Sequence, residues 1–152
     1  MVRLPPPLWL LIYLIAAAVA SALYRWKSIL DLTVIPLGVL LIAAGAVSAF
    51  SASTLFRRLG TEIQPTSETN KVLVVTGPYR FTRNPMYLGL TLFSLGIAFC
   101  VGALPMFAVP ILVFATTNGV HIPFEEAKMR RQFGSTYDDY VRRTRRWIPG
   151  IW

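Results

Sequence analysis

A chain of 152 residues with 55% hydrophobic content and only 14% charged residues is too apolar for an ordinary soluble domain, where about a quarter of residues carry charge. Its formal net charge of +8 is dispersed between apolar blocks, with no zinc-finger spacing, basic zipper or RNA-binding signature, which argues against a nucleic-acid module and assigns the charge to topology and anionic lipid headgroups. The single cysteine, Cys100, rules out an internal disulfide and reads as a small packing residue.

Four apolar blocks follow in chain order: Leu8 to Tyr24, Leu32 to Phe56, Met86 to Val101 and Leu104 to Ile122. Each is near or above the length that a helix rising about 1.5 Å per residue needs to cross a hydrocarbon core of about 30 Å. The first resembles a signal peptide in having Arg3 before it and Ala20-Ser21-Ala22 near its end. Its apolar run is long for a signal core, however, and Pro5-Pro6-Pro7 reads as a helix start at the membrane surface. The expectation is one all-α integral membrane domain, residues 1–152, with four transmembrane helices at 8–24, 32–56, 86–101 and 104–122.

Thirteen of the fifteen Lys and Arg residues lie in the amino terminus, in the segment 57–84 and in the segment 124–152. Only Arg25 and Lys27 occupy the first connection, and the turn at Gly102-Ala103 has none. Four spans put all thirteen on one side, so the positive-inside rule makes both termini and both long segments cytoplasmic, as in a multi-pass protein of a bacterial inner membrane.

Within the first cytoplasmic segment, Thr61 to Lys71 is polar and reads as loop; Val72 to Val75 is a short apolar run that could enter the interface, and Gly77-Pro78 marks a turn. In the second, Met129, Phe133, Tyr137, Tyr140 and Val141 fall on one stripe at helical spacing, which predicts an amphipathic interfacial helix at the C-terminal end.

Asn84 is a good N-cap residue and Pro85 suits a first helical position, so the third span is expected to start there; the fourth is expected to end near Pro123. The short connection between them makes an antiparallel hairpin, which brings Arg83, Tyr87, Glu125 and Glu126 to one cytoplasmic corner. There the positive end of the third helix, with Arg80 and Arg83, suits an anion, while the glutamates suit an ammonium group or ribose hydroxyls. Plainer readings stand beside this one. Arg83 serves equally as a topogenic anchor, the glutamates as partners of Lys128 or Arg130, and His121, the only histidine, as a cap for carbonyls or a partner for a glutamate.

The pieces GPYRFTRNPMYLG (Gly77 to Gly89), the glutamate pair 125–126, FGSTYDDY (Phe133 to Tyr140) and RWIP (Arg146 to Pro149), in this order, resemble the integral-membrane methyltransferases. That family includes isoprenylcysteine carboxyl methyltransferase and the phospholipid N-methyltransferases. The resemblance implies a cytoplasmic pocket for S-adenosylmethionine, drawing on Gly77, Tyr79, Arg83, Asn84, Pro85, Tyr87, His121, Glu125 and Glu126. On this basis Arg83 and the first amides of the third span bind the cofactor's carboxylate, and Glu125 and Glu126 hold its ammonium or ribose. Tyr87 and a glutamate such as Glu126 are the candidates for work on the acceptor, and Arg145 or Arg146 would position an acceptor carboxylate. The isoprenylcysteine enzymes carry histidine where this chain has Asn84, a departure that weakens the prenyl-protein assignment. The implied acceptor is a lipophilic small molecule or lipid reached from the bilayer.

No His/Cys cluster exists to hold a metal, and no glycine-rich strand-to-helix turn marks a Rossmann unit. The rival from another class is a non-catalytic membrane scaffold or lipid-binding protein that uses its basic tail on anionic headgroups.

Overall fold

The computed structural model describes residues 4–24, 30–60 and 72–148. Arg25 and Lys27, the Thr61 to Lys71 loop and Pro149 lie outside the described residues. Among those described the chain is helical, without strands: α1 Pro6–Tyr24, α2 Ile35–Arg58, a 3₁₀ turn Gly77–Arg80, α3 Pro85–Val101, α4 Leu104–Thr116, a π turn Thr117–His121, α5 Ile122–Phe133 and α6 Ser135–Arg143.

Three helices are long and apolar enough to cross a membrane: α1, α2 and the continuous rod Leu104–Phe133 that joins α4, the π turn and α5. The apolar helix α3 is shorter at 17 residues, about 26 Å at 1.5 Å per residue. α2 packs chiefly on α3, α3 on α4, and α4 on α1. The core between α1, α3 and α4 is formed by Leu10, Ala17, Ala98, Ala103, Met106, Val109 and Val113. The outward faces of α1 and α2 keep Leu11, Ile15, Val39, Leu40, Val47 and Phe50 exposed, as lipid-facing helices do.

Closeness between α2 and α3 comes from small residues. A Cβ added at Gly89 would stand 2.6 Å from the Gly45 carbonyl oxygen, and one at Gly96 would stand 2.6 Å from that of Gly38. Two glycine pairs seven residues apart along each helix thus let backbones touch, the small-residue mode of helix association in lipid. At one end of the bundle, the extended segment before α2 is tied to the α3–α4 turn by Leu32 N–H to Gly102 O at 3.0 Å and Val34 N–H to Phe99 O at 2.9 Å. The start of α1, the end of α2, the start of α3 and the C-terminal segment gather at the other end, through Leu4, Ala52, Val74, Tyr79 and Thr82.

Several expectations need correction. The second helix begins at Ile35, not Leu32, because Leu32 and Val34 spend their amides on the α3–α4 turn. The fourth does not stop near Pro123: Ile122 N–H reaches back to Thr117 O, and the rod runs on through Pro123 into α5. The single amphipathic helix is divided in two at Gly134, whose φ of +51° is a conformation other residues avoid, so α5 and α6 run in different directions. Asn84 occupies the N-cap of α3, but its side chain makes no capping bond there.

Candidate active site

The site is built where the start of α3 meets α5. The 3₁₀ turn buries Tyr79 against Phe56 and Val74, and Thr82 Oγ1 receives Asn84 N–H at 3.1 Å, bringing the chain into α3 at Pro85. The segment Thr144 to Trp147, beyond α6, returns over this start. Arg83 N–H donates to Arg145 O at 2.9 Å, while Thr82 Oγ1 and Asn84 Nδ2 both donate to Arg146 O, at 3.0 and 2.9 Å. Asn84 therefore binds the returning tail instead of capping its own helix.

That return brings charges together. Glu126, whose side chain is 8% exposed, accepts Arg146 Nε at 3.1 Å on one oxygen and Nη2 at 2.7 Å on the other, and Arg83 Nη2 lies 3.3 Å away. Tyr87 donates its hydroxyl to Glu125. The hairpin expected from the sequence thus brings Arg83, Tyr87, Glu125 and Glu126 to one corner. Arg83 nevertheless keeps Nε and Nη1 buried with no partner. Buried unsatisfied donors cost about 1–3 kcal/mol each, more when charged, so this guanidinium has the capacity to bind an additional anion.

His121 is fully buried, its Nε2 3.2 Å from Leu4 O and its ring 6.2 Å from that of Tyr87; Nδ1 has no partner. The carbonyl it bonds precedes α1, so His121 neither caps the end of its own span nor pairs with a glutamate, the two plain readings of the sequence. Gly77, at φ +60°, opens the 3₁₀ turn, and Arg80 is exposed on it. Arg145 is exposed and gives its carbonyl to Arg83, whereas Arg146 is committed to Glu126.

Three tyrosines outside the apolar helices remain protonated donors. Burial, then the Glu126 carboxylate, pushes Tyr137 up to about 12 against the opposing pull of Arg83. Tyr140 is raised by burial and then by Tyr137, and its hydroxyl donates to Tyr79 O at 2.7 Å. Tyr79 is raised by burial first and by Glu125 second.

The sequence reading missed Asn118 and took Trp147 only as a packing residue and as part of RWIP. Asn118, in the π turn, accepts Trp147 Nε1 at 3.0 Å and Arg146 Nη1 at 3.5 Å. Trp147 is 4% exposed and packs with Tyr87 and Ile122. The polar run Thr116-Thr117-Asn118 inside an apolar block was the available signal. Beside this corner an open apolar groove of about 420 Å³ runs between α3 and α4, lined by Thr91, Leu95, Phe107, Pro110, Ile111 and Phe114. Its link to the charged corner is direct: Phe114 lies 4.6 Å from the Trp147 ring, and Thr91 Oγ1 donates to Tyr87 O.

Comparison with known proteins gives two matches. Residues 33–136 match the phospholipid methyltransferase family model, which covers α2 through the first residues of α6 and so contains Arg83, Tyr87, Glu125 and Glu126. The chain is also 30% identical over 126 residues to the nickel-cobalt-cadmium resistance protein NccN of Alcaligenes xylosoxydans xylosoxydans, a match covering 83% of this chain and 53% of that protein. The chain therefore spans about half the length of the curated relative it matches. No solved structure matches it.

Proposed function

The chain belongs to the phospholipid methyltransferase family, and from that membership we propose that it is a membrane-embedded, S-adenosylmethionine-dependent methyltransferase acting on a lipophilic small molecule or lipid. The observation that carries the reading is Arg83: a guanidinium with two buried, unpartnered N–H groups, 3.3 Å from a glutamate that is itself buried. An anion that also carries positive charge suits such a pair, and the carboxylate and ammonium of S-adenosylmethionine have that character. In this reading Arg83 takes the carboxylate, while Glu126 and Glu125 face the ammonium or ribose. When bound, the cofactor supplies an electrophilic methyl group on a sulfonium.

The residues' share of the work is alignment and exclusion of water. Trp147, Tyr87 and Ile122 form the apolar wall of the corner. The groove between α3 and α4 accepts the acceptor's hydrocarbon part from the bilayer and directs its polar head past Phe114 towards Tyr87. In this reading Glu125 takes the proton of an amine acceptor, relayed through the Tyr87 hydroxyl that donates to it. Arg146 and Arg145 remain the candidates for an acidic acceptor head, Arg146 only by giving up a Glu126 oxygen. The reading includes α3 as a fourth span, both termini in the cytoplasm, and exposed Arg142 and Arg143 resting on anionic headgroups. Among the described residues no three of His, Cys, Asp and Glu come together as a metal cage.

The test is calorimetry with S-adenosylhomocysteine on the purified protein in micelles, joined to transfer of labelled methyl groups into a lipid extract. Binding in the micromolar range is expected, lost in Arg83→Ala with helical circular dichroism intact. A fully helical protein that takes up no cofactor product and labels no lipid would overturn the reading in favour of a lipid-binding scaffold.

A further inference from the structure

The rod that begins at α4 passes from α to π hydrogen bonding and back. Over Thr117–His121 it widens to a π turn, with Ile122 N–H reaching Thr117 O. Single π turns inside α-helices insert one residue and re-aim the side chains around them, and they recur at functional sites. Asn118 is in this one, half-buried. Its Oδ1 is shared by two donors of the returning tail, Trp147 Nε1 at 3.0 Å and Arg146 Nη1 at 3.5 Å. The other two nitrogens of the same guanidinium fork the Glu126 carboxylate at 3.1 and 2.7 Å. Trp147, 4% exposed, lies against Tyr87 and Ile122 and stacks on Phe114. One amide oxygen thus touches two of the residues by which the tail grips the corner, Arg146 and Trp147.

We propose that Asn118 is a positioning residue: the π turn presents its amide oxygen to the Arg146-Trp147 strap, which in turn fixes the direction of the Glu126 carboxylate beside Arg83. An amide inside an apolar helix is costly unless bonded, and these two tail donors are the partners that hold it. Without that oxygen Arg146 gains freedom to swing and Trp147 leaves a buried N–H unpaired, so the strap loosens at its fixed point. The consequence for catalysis rests on the methyltransferase reading; the strap itself does not.

The experiment therefore reads both. 5-Fluorotryptophan is incorporated into the full chain in micelles, the Trp147 resonance is assigned with Trp147→Phe, and S-adenosylhomocysteine affinity is measured on the same samples. Asn118→Leu, close in size and without an acceptor, is expected to shift the Trp147 resonance and to weaken cofactor-product binding about tenfold, the scale of one lost hydrogen bond to a charged group. Asn118→Asp, which keeps the acceptor, is expected to hold both near the parent values, a rescue that a merely space-filling role does not give. An unmoved resonance in Asn118→Leu overturns the strap, and a moved resonance with parent affinity overturns the positioning role. If the parent itself binds no cofactor product, the functional reading fails and the resonance still decides the strap. Should Asn118→Leu not fold, Trp147→Phe removes the indole N–H together with half of the ring while keeping an aromatic group in place; binding weakened about threefold supports the proposal, and parent affinity overturns it.

Discussion

Glu126 is surrounded by two guanidinium groups, and the balance among the three decides what the corner tolerates. Arg146 is about one-third exposed while Arg83 and Glu126 are nearly buried, so the Arg146 contacts are partly screened and the Arg83 contact is not. Replacing Glu126 by Ala strands a buried Arg83 already short of partners; a loss on the order of 3 kcal/mol of stability is expected, read by denaturant titration in micelles. Glu126→Gln keeps an acceptor without the charge and is expected to lose less stability, so equal losses in the two variants would show that the retained acceptor contributes little and the charge nearly everything. Tyr140 offers a cleaner single bond. Its hydroxyl supports Tyr79 O in the turn that leads to Arg83, and Tyr140→Phe is expected to cost about 1–3 kcal/mol through the stranded carbonyl. The same titration checks this, and a change under a few tenths of a kcal/mol would count against the bond.

Between elements, the contacts that matter most are backbone to backbone. Because a Cβ at Gly89 would meet the Gly45 carbonyl at 2.6 Å and Ala49 at 2.9 Å, Gly89→Val must push α2 off α3. A loss of the native thermal transition is expected, whereas Gly119→Ala, where nothing lies within 4 Å, is expected to leave it in place. The apolar blocks and the α3–α4 hairpin were legible from hydropathy and from a two-residue connection, and that hairpin was enough to predict Arg83 beside the glutamates. The return of the tail was not: Asn84 meets Arg146 across 62 positions, and no periodicity in either segment encodes that pairing. Nor does the spacing of apolar residues distinguish an α turn from a π turn, so Asn118 was absorbed into an apolar block. Gly134 was visible in the sequence, but the stripe from Met129 to Val141 continues across it, and only the backbone angle shows that the helix ends there.

At the scale of the whole molecule the question is how many times the chain crosses the bilayer. Three helices qualify by length, and α3 has 17 residues. A 26 Å helix meets a 30 Å core by local thinning at modest cost, and α3 buries much of its surface against α2 and α4, which reduces its contact with lipid. The bundle also places Leu4 near His121 at the end that holds the charged corner, and Asp31 to Val34 at the opposite end beside Gly102. If all four helices cross, Leu30 and Arg142, both exposed, face opposite compartments. In a Cys100→Ala background, a membrane-impermeant maleimide is expected to label Leu30→Cys on intact cells, and Arg142→Cys only after permeabilisation. Labelling of both from outside would mean an odd number of crossings. It would also separate the charged corner from the cytoplasm, from which the proposed cofactor would have to come, so the outcome bears on the proposed chemistry as directly as on the topology.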